Sequence, residues 1–251
     1  MSDVYKAPSA ELHDPITTNQ YGSIDNAVLG QYDFQIGALL SEAWSTLKGL
    51  KTKFLVGILL YIVALVAISM VLMGVTFLLG LLLSEGAIIG GLLQQIIITL
   101  VSLPMAYGLF MMALKHSVNA PTSFTEIFGY FNKMGKIFAV YILMSILIFV
   151  GLLLLVLPGI YLMVAYMMAI PLIIEKNDIG VWQALEISRK TITKKWFKFF
   201  GFVLLVSLIM IVAAIPLGIG LIWALPWIAL VFAILYRNMF GLEQETLHNQ
   251  A

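Results

Sequence analysis

The chain has 251 residues, 61% of them hydrophobic and 11% charged, with a formal net charge of +1. Soluble domains carry about 25% charged residues, and a soluble core of this size cannot hide so much apolar surface. The composition excludes a soluble globular domain and points to an integral membrane protein.

Residues 1–32 are polar and aperiodic, with turn formers at Pro8, Pro15, Gly22 and Asn26. They predict a flexible cytoplasmic tail or, alternatively, a docking peptide. No apolar core of signal-peptide type occurs in residues 1–35, so no cleaved signal is expected. Six apolar runs follow, at 54–83, 87–114, 137–157, 160–174, 199–215 and 221–236. The first has 30 residues. At 1.5 Å per residue it outruns a hydrocarbon core of about 30 Å, so it is expected to tilt, bend or unwind near Gly74 or Gly80. The expected fold is all-α and integral to the membrane: six transmembrane helices as three hairpins, in a single domain over 33–240 with units 33–114, 121–174 and 179–237. A short cytoplasmic tail, 241–251, follows.

The fourteen Lys and Arg residues all fall on the N-terminal side of these spans, and the three hairpin tips carry only Glu85. The positive-inside rule makes that side cytoplasmic and puts both termini there.

Each hairpin has an amphipathic preface that is expected to form a cytoplasmic elbow helix. In the first, Ile36, Leu39, Leu40, Ala43, Leu47, Leu50 and Phe54 recur at helical spacing. In the second, Phe124, Ile127, Phe128, Phe131, Met134 and Phe138 do so, and Ser123 with Glu126 forms a capping-box pattern. In the third, Trp182, Leu185, Ile192, Trp196 and Phe199 share a face opposite Lys190, Lys194 and Lys198. Asp33 and Asp178 stand where they would cap the first and third. Such helices suit the membrane interface, with the apolar face in the acyl boundary. Lys51, Lys53, Lys133, Lys136, Lys190, Lys194, Lys195 and Lys198 are the expected contacts to lipid headgroups, and Trp44, Trp182 and Trp196 the interfacial anchors. A purely topogenic role for the cluster at 189–198 is the alternative.

The prefaces place Glu42, Glu126 and Glu186 in similar positions, and LPMAYGLFMMALK (103–115) echoes LPWIALVFAILYR (225–237). These echoes suggest a threefold internal repeat of elbow, span, span about an axis along the membrane normal. The alternative is that basic amphipathic segments accumulate in any six-span protein.

Little in the chain suggests catalysis. With no cysteine there is no thiolate chemistry, and His13, His116 and His248 lie far apart without metal-ligand spacing. No Walker loop or nucleophile elbow occurs, and no catalytic, cofactor or metal residue is assigned. No ionisable residue lies well inside a span, which argues against an ion-coupled pump. The polar intramembrane candidates are Gln94, Gln95, Thr99 and Ser102, with Ser145 and Ser207 elsewhere. They read as interhelical hydrogen bonds or as the lining of a solute path. Pro104 and Pro226 are expected to kink helices, and Pro158 and Pro216 to mark turns.

The opening VYKAPSAEL, the FQIGALLSEAW preface and the stretch LPGIYLMVAYMMAIPLIIEKNDIGVWQALEISRKTITKKWFKFFGF resemble a broad group of bacterial inner-membrane proteins. These are the YciC-like proteins and the membrane domain fused to some glycerophosphodiester phosphodiesterases. The resemblance covers nearly the whole chain, most specifically 157–201. It implies six helices and a bacterial inner membrane, and it carries over no activity and no catalytic residue. The expected function is a non-enzymatic, lipid-contacting scaffold or partner-binding subunit in envelope organisation. Its partners would be anionic membrane lipids and a second copy or another membrane protein, not nucleic acid. The alternative is a channel or carrier for a neutral or lipid-like solute.

Overall fold

The computed structural model describes residues 21–244 and 246. The described residues form helices and turns, with no strand. Six stretches are long and apolar enough to cross a membrane, and each overlaps one expected span: Leu50–Leu82, Gly86–His116, Phe124–Leu154, Val156–Glu175, Trp196–Ala214 and Leu221–Phe240. This is the make-up of a multi-pass membrane protein.

The packed chain begins before residue 33. A short helix α1 (Ile24–Leu29) is capped by Ser23, whose hydroxyl accepts from Asn26 N at 3.3 Å, and ends at Gly30 with φ 80°. It lies on the helices named below as α8 and α10, with Ala27 fully buried. The flexible segment expected to run to residue 32 is thus packed from Tyr21 onward, and residues 1–20 lie outside the described residues.

Helix α2 (Ile36–Thr46) turns into α3 (Leu50–Leu82) through Gly49, whose φ of 91° is open to glycine at little cost. The 33-residue α3 runs unbroken through Gly74 and Gly80. No unwinding relieves its length, because Gly80 faces α4 (Gly86–His116), its missing Cβ only 3.5 Å from Ala87 Cβ. Along the same contact Gly90 lies against Thr76 and Gly57 against Leu109, so the two helices run antiparallel and close. Helix α4 continues through Pro104.

The second preface is not one amphipathic helix. It forms two 3-10 turns, Phe124–Phe128 and Phe131–Lys133, before α5 (Met134–Leu154) begins. Ser123 does cap the first turn, accepting from Thr125 N, but Glu126 points inward rather than back to the cap. At Leu155 the chain is extended and reverses into α6 (Val156–Ala165). Pro158 therefore lies in the first turn of α6, where proline is tolerated, and the break falls three residues earlier. A second break precedes α7 (Ala169–Glu175), where Pro171 lacks the N–H a continuous helix needs. The buried Ser188 hydroxyl spans this gap, donating to Ala165 O at 2.7 Å and accepting from Met168 N at 3.2 Å.

Ser188 belongs to α8 (Val181–Thr193), which is followed by α9 (Trp196–Ala214) and α10 (Leu221–Phe240). Pro216 lies in the turn between the last two, and α10 continues through Pro226. Helix α10 is the centre of the core, with Leu230, Val231, Ala233, Ile234, Leu235 and Tyr236 fully buried. Its two ends meet the same end of the α3–α4 pair. Lys51 in the first turn of α3 stacks on Trp223, and Ser117 just after α4 accepts from Arg237. The fourteen helical steps from Trp223 to Arg237 span about 21 Å, so α10 is steeply inclined across that base. The far half of the pair, from Leu59 on α3 to Ile97 on α4, is exposed to the surroundings.

Candidate functional site

The base of the molecule holds a layer of buried charge. Lys115 at the end of α4 pairs with Glu126 at 2.7 Å, and both side chains are under a tenth exposed. The close approach depends on Gly108, since a Cβ there would lie 2.6 Å from Glu126 O. The Tyr130 hydroxyl donates to the same carboxylate at 3.4 Å. Glu175, at the end of α7, is 1% exposed. Its carboxylate accepts from Tyr236 Oη at 3.1 Å, from Glu243 N at 2.6 Å and from Thr246 Oγ1 at 3.2 Å, and it pairs with Lys176 at 3.0 Å. Burial and the neighbouring Glu175 charge raise the pKa of Glu243. Arg237 donates to Ser117 O and Glu42, and lies over the Tyr21 ring at 4.7 Å. His116 Nε2 meets Thr46 O at 2.9 Å.

These contacts join the prefaces to the ends of spans, across eleven residues for Lys115 and Glu126 and across 195 for Glu42 and Arg237. Glu42 lies in the first preface and Arg237 at the end of the last span; Glu126 lies in the second preface and Lys115 at the end of the second span. Correspondingly α2 packs on α10, the 124–128 turn on α4, and α8 on α6 and α7. The apolar faces of the first and third prefaces, with Leu39 and Ala43 on α2 and Leu185 and Ile192 on α8, are buried against protein. They do not sink into an acyl boundary as expected.

The expected headgroup lysines separate accordingly. Lys133 turns inward, donating to Ile174 O at 2.5 Å and Asn177 Oδ1 at 2.6 Å. Lys195 and Lys198 hold Asp33 at 3.1 and 2.7 Å, and Lys195 also donates to Tyr32 O. Asp33 is thus a clasp between the first and third prefaces, not a helix cap; the caps of α2 and α8 are Gln35 and Gly180, so Asp178 does not cap α8 either. Lys53 donates to Thr122 O at 2.9 Å, and Lys190 pairs with Glu186 at 3.1 Å. Hydrogen bonds from Lys190 and Arg189 lower the Glu186 pKa. Lys136 and Lys194 are exposed, and Lys51 lies on Trp223. Trp44 and Trp182 are exposed, while Trp196 stacks on Phe200 and donates to Tyr161 O at 3.3 Å.

The Asp33 clasp gives a pH prediction. Hydrogen bonds from Lys198, then Lys195, lower the Asp33 carboxyl to about 2. The ionised form is therefore the stabilising one. Its contribution is complete above the unfolded carboxyl pKa of about 4 and is lost as the pH falls toward about 2. Asp33→Asn is expected to lower the thermal midpoint in detergent by the same amount at every pH above about 5, and to match the wild type in strong acid. A difference that grew on acidification would contradict the clasp.

Among the described residues four cavities accompany this layer: one of about 520 Å³ is lined by Tyr21, Asn26, Lys176 and Glu243, and three bear on the expected site residues. A polar one of about 180 Å³ lies among Lys115, Tyr130, Lys133, Glu175, Asn177 and Thr246. An apolar one of about 550 Å³ opens between α3, α4, α7 and α10, with Phe54, Ile58, Tyr107, Pro171, Ile228 and Phe232 in its wall. A second apolar groove of about 380 Å³ is walled by Trp44, Trp223 and Trp227 with Ile209 and Val212 of α9. Gln94, Gln95, Thr99 and Ser102 line none of the three. Gln94 instead accepts from Thr76 on α3 at 3.4 Å, and Thr99 returns to Gln95 O at 2.8 Å. Ser102 bonds Thr99 O at 3.3 Å. These are contacts within α4 and between α3 and α4. Among the described residues no group of three or more His, Asp or Glu is gathered as a metal site; His13 and His248 lie outside them.

Sequence reasoning passed over Glu175 and Arg237 as buried partners. One signal was present: Lys115 and Arg237 each stand eleven residues after a Leu-Pro proline, Pro104 and Pro226. No protein-family model, curated protein or solved structure matches the chain.

Proposed function

We propose that the protein is a non-enzymatic, lipid-contacting scaffold or partner-binding subunit of a bacterial inner membrane, with both termini cytoplasmic. The observation that carries this reading is the closed charged layer at the base. Its buried cations and carboxylates are held by one another and by backbone carbonyls, as expected of a locked framework. The polar cavity of about 180 Å³ inside this layer is small, and the Lys115 and Glu175 side chains beside it are already paired. Further support for three elbow–hairpin units comes from the order of contacts. Each preface lies on the last span of the unit before it, and the first lies on the last span of the third. Such a ring is what a threefold parallel repeat would produce.

A carrier for a lipid-like solute is the second reading, and the apolar cavity of about 550 Å³ is what favours it. The test is native mass spectrometry of gently extracted protein, joined to a leak assay in liposomes. A scaffold is expected to appear as a defined oligomer retaining anionic lipid, with no solute leak. A monomer carrying one small apolar molecule, together with solute leak from the liposomes, would reverse the preference.

A further inference from the structure

The two apolar grooves flank the first half of α10. Trp223, Ala224 and Trp227 face one; Leu225, Ile228, Ala229 and Phe232 face the other. Both volumes fall in the range of ligand sites, about 300–1,000 Å³. Lys51 adjoins both: its ammonium lies 4.0 Å from the ring of Trp223, which walls the smaller groove, and Phe54, one turn on, lines the larger.

The chemistry around this point is uneven. Lys51 has no carboxylate partner among the described residues, unlike Lys115, Lys176, Lys190, Lys195 and Lys198. The Trp227 indole N–H is already used, donating to Leu40 O at 3.0 Å. The indoles of Trp44 and Trp223 are 58% and 44% exposed and have no protein acceptor among the described residues. A cation and two indole donors thus stand beside two greasy slots, with Lys51 and Trp223 in stretches apolar enough to cross a membrane and Trp44 on α2. A small polar ligand would find nothing in the slots to bind. A single fatty acyl chain would fill only one of them. An anionic headgroup with two chains satisfies the cation, the indole donors and both slots.

We propose that Lys51 and Trp223 hold the headgroup of an anionic diacyl phospholipid whose chains lie in the two grooves beside α10. The site rests on the lipid-contacting reading above and narrows it to one place. It also gives the apolar cavity an occupant that stays in the bilayer rather than one carried across it.

The test uses the full chain in phosphatidylcholine bilayers containing a minority of phosphatidylglycerol with brominated chains, reading quenching of tryptophan fluorescence. Wild-type protein is expected to select phosphatidylglycerol by about fivefold, matching about 1 kcal/mol per cation at an anionic surface. Lys51→Gln is expected to abolish the selection, and Lys51→Arg to keep it. Arg189→Gln, which removes a cation paired with Glu186 elsewhere, should leave it intact. Val212→Phe narrows the smaller groove without touching the cation and should weaken quenching; it keeps the proposal open to refutation if Lys51→Gln fails to fold. Selection that survives in Lys51→Gln overturns this site while leaving the broader reading standing. Absence of selection in the wild type overturns both.

Discussion

Lys115→Met is expected to destabilise the protein by about 3–5 kcal/mol, the range for breaking a buried ion pair from one side. Glu126 is 7% exposed and would be left as a buried carboxylate whose one remaining side-chain partner among the described residues is the long Tyr130 hydrogen bond. The paired replacement, Lys115→Met with Glu126→Leu, is expected to recover most of the loss, because no unpaired charge then remains. Denaturant or SDS titration in detergent, followed by circular dichroism, measures both. If the single variant behaves like a broken surface pair, within about 1 kcal/mol of wild type, the two charges are not held as described. Failure of the double variant to recover would mean that Lys115 serves further partners that Met cannot replace.

Glu175→Leu is expected to cost as much and to loosen a different part of the molecule. The carboxylate gathers Lys176, the Tyr236 hydroxyl, Glu243 N and Thr246 Oγ1 in a 1% exposed position. Without it, the chain after α10 loses two of its bonds to α7, and the buried Lys176 loses its counter-charge. Glu175→Gln keeps an acceptor oxygen and should lose only the charged part of those bonds, about 1–1.5 kcal/mol for each. Thermal unfolding in detergent gives the stability order, and limited proteolysis near residue 243 reports the loosening. Cleavage no faster in Glu175→Leu than in wild type would show that this end of the chain is held by other contacts.

The six apolar stretches were legible because membrane-length runs of Leu, Ile and Val have few other uses. The pairing of α3 with α4 was less so: the spacing of Gly57, Gly80 and Gly90 becomes meaningful only beside Leu109, Ala87 and Thr76. In the second preface, Phe124, Ile127, Phe128 and Phe131 satisfy a helical period, yet the segment takes 3-10 turns. Glu126 has to reach Lys115 across the bare backbone of Gly108, and that tertiary demand outweighs local periodicity. The lysines were the least legible. Lys133 and Lys136 lie three residues apart with similar neighbours, yet one bonds Ile174 O and the other is exposed. What separates them is Asn177 and the end of α7, more than forty residues on. Asp33 likewise reads locally as a helix cap, while its partners Lys195 and Lys198 are over 160 residues distant.

The inclined α10 has a consequence in time. Leu40 waits for Trp227 and Glu42 for Arg237, separations of 187 and 195 residues. During synthesis α3 and α4 enter the bilayer with their base unfinished, and only the last long helix supplies what it needs. Contacts so distant in sequence form slowly and leave earlier segments exposed meanwhile. Assembly therefore closes from the C-terminal side, and the interval before α10 arrives is when α2 and the start of α3 are accessible to insertion factors, lipid or a neighbouring chain.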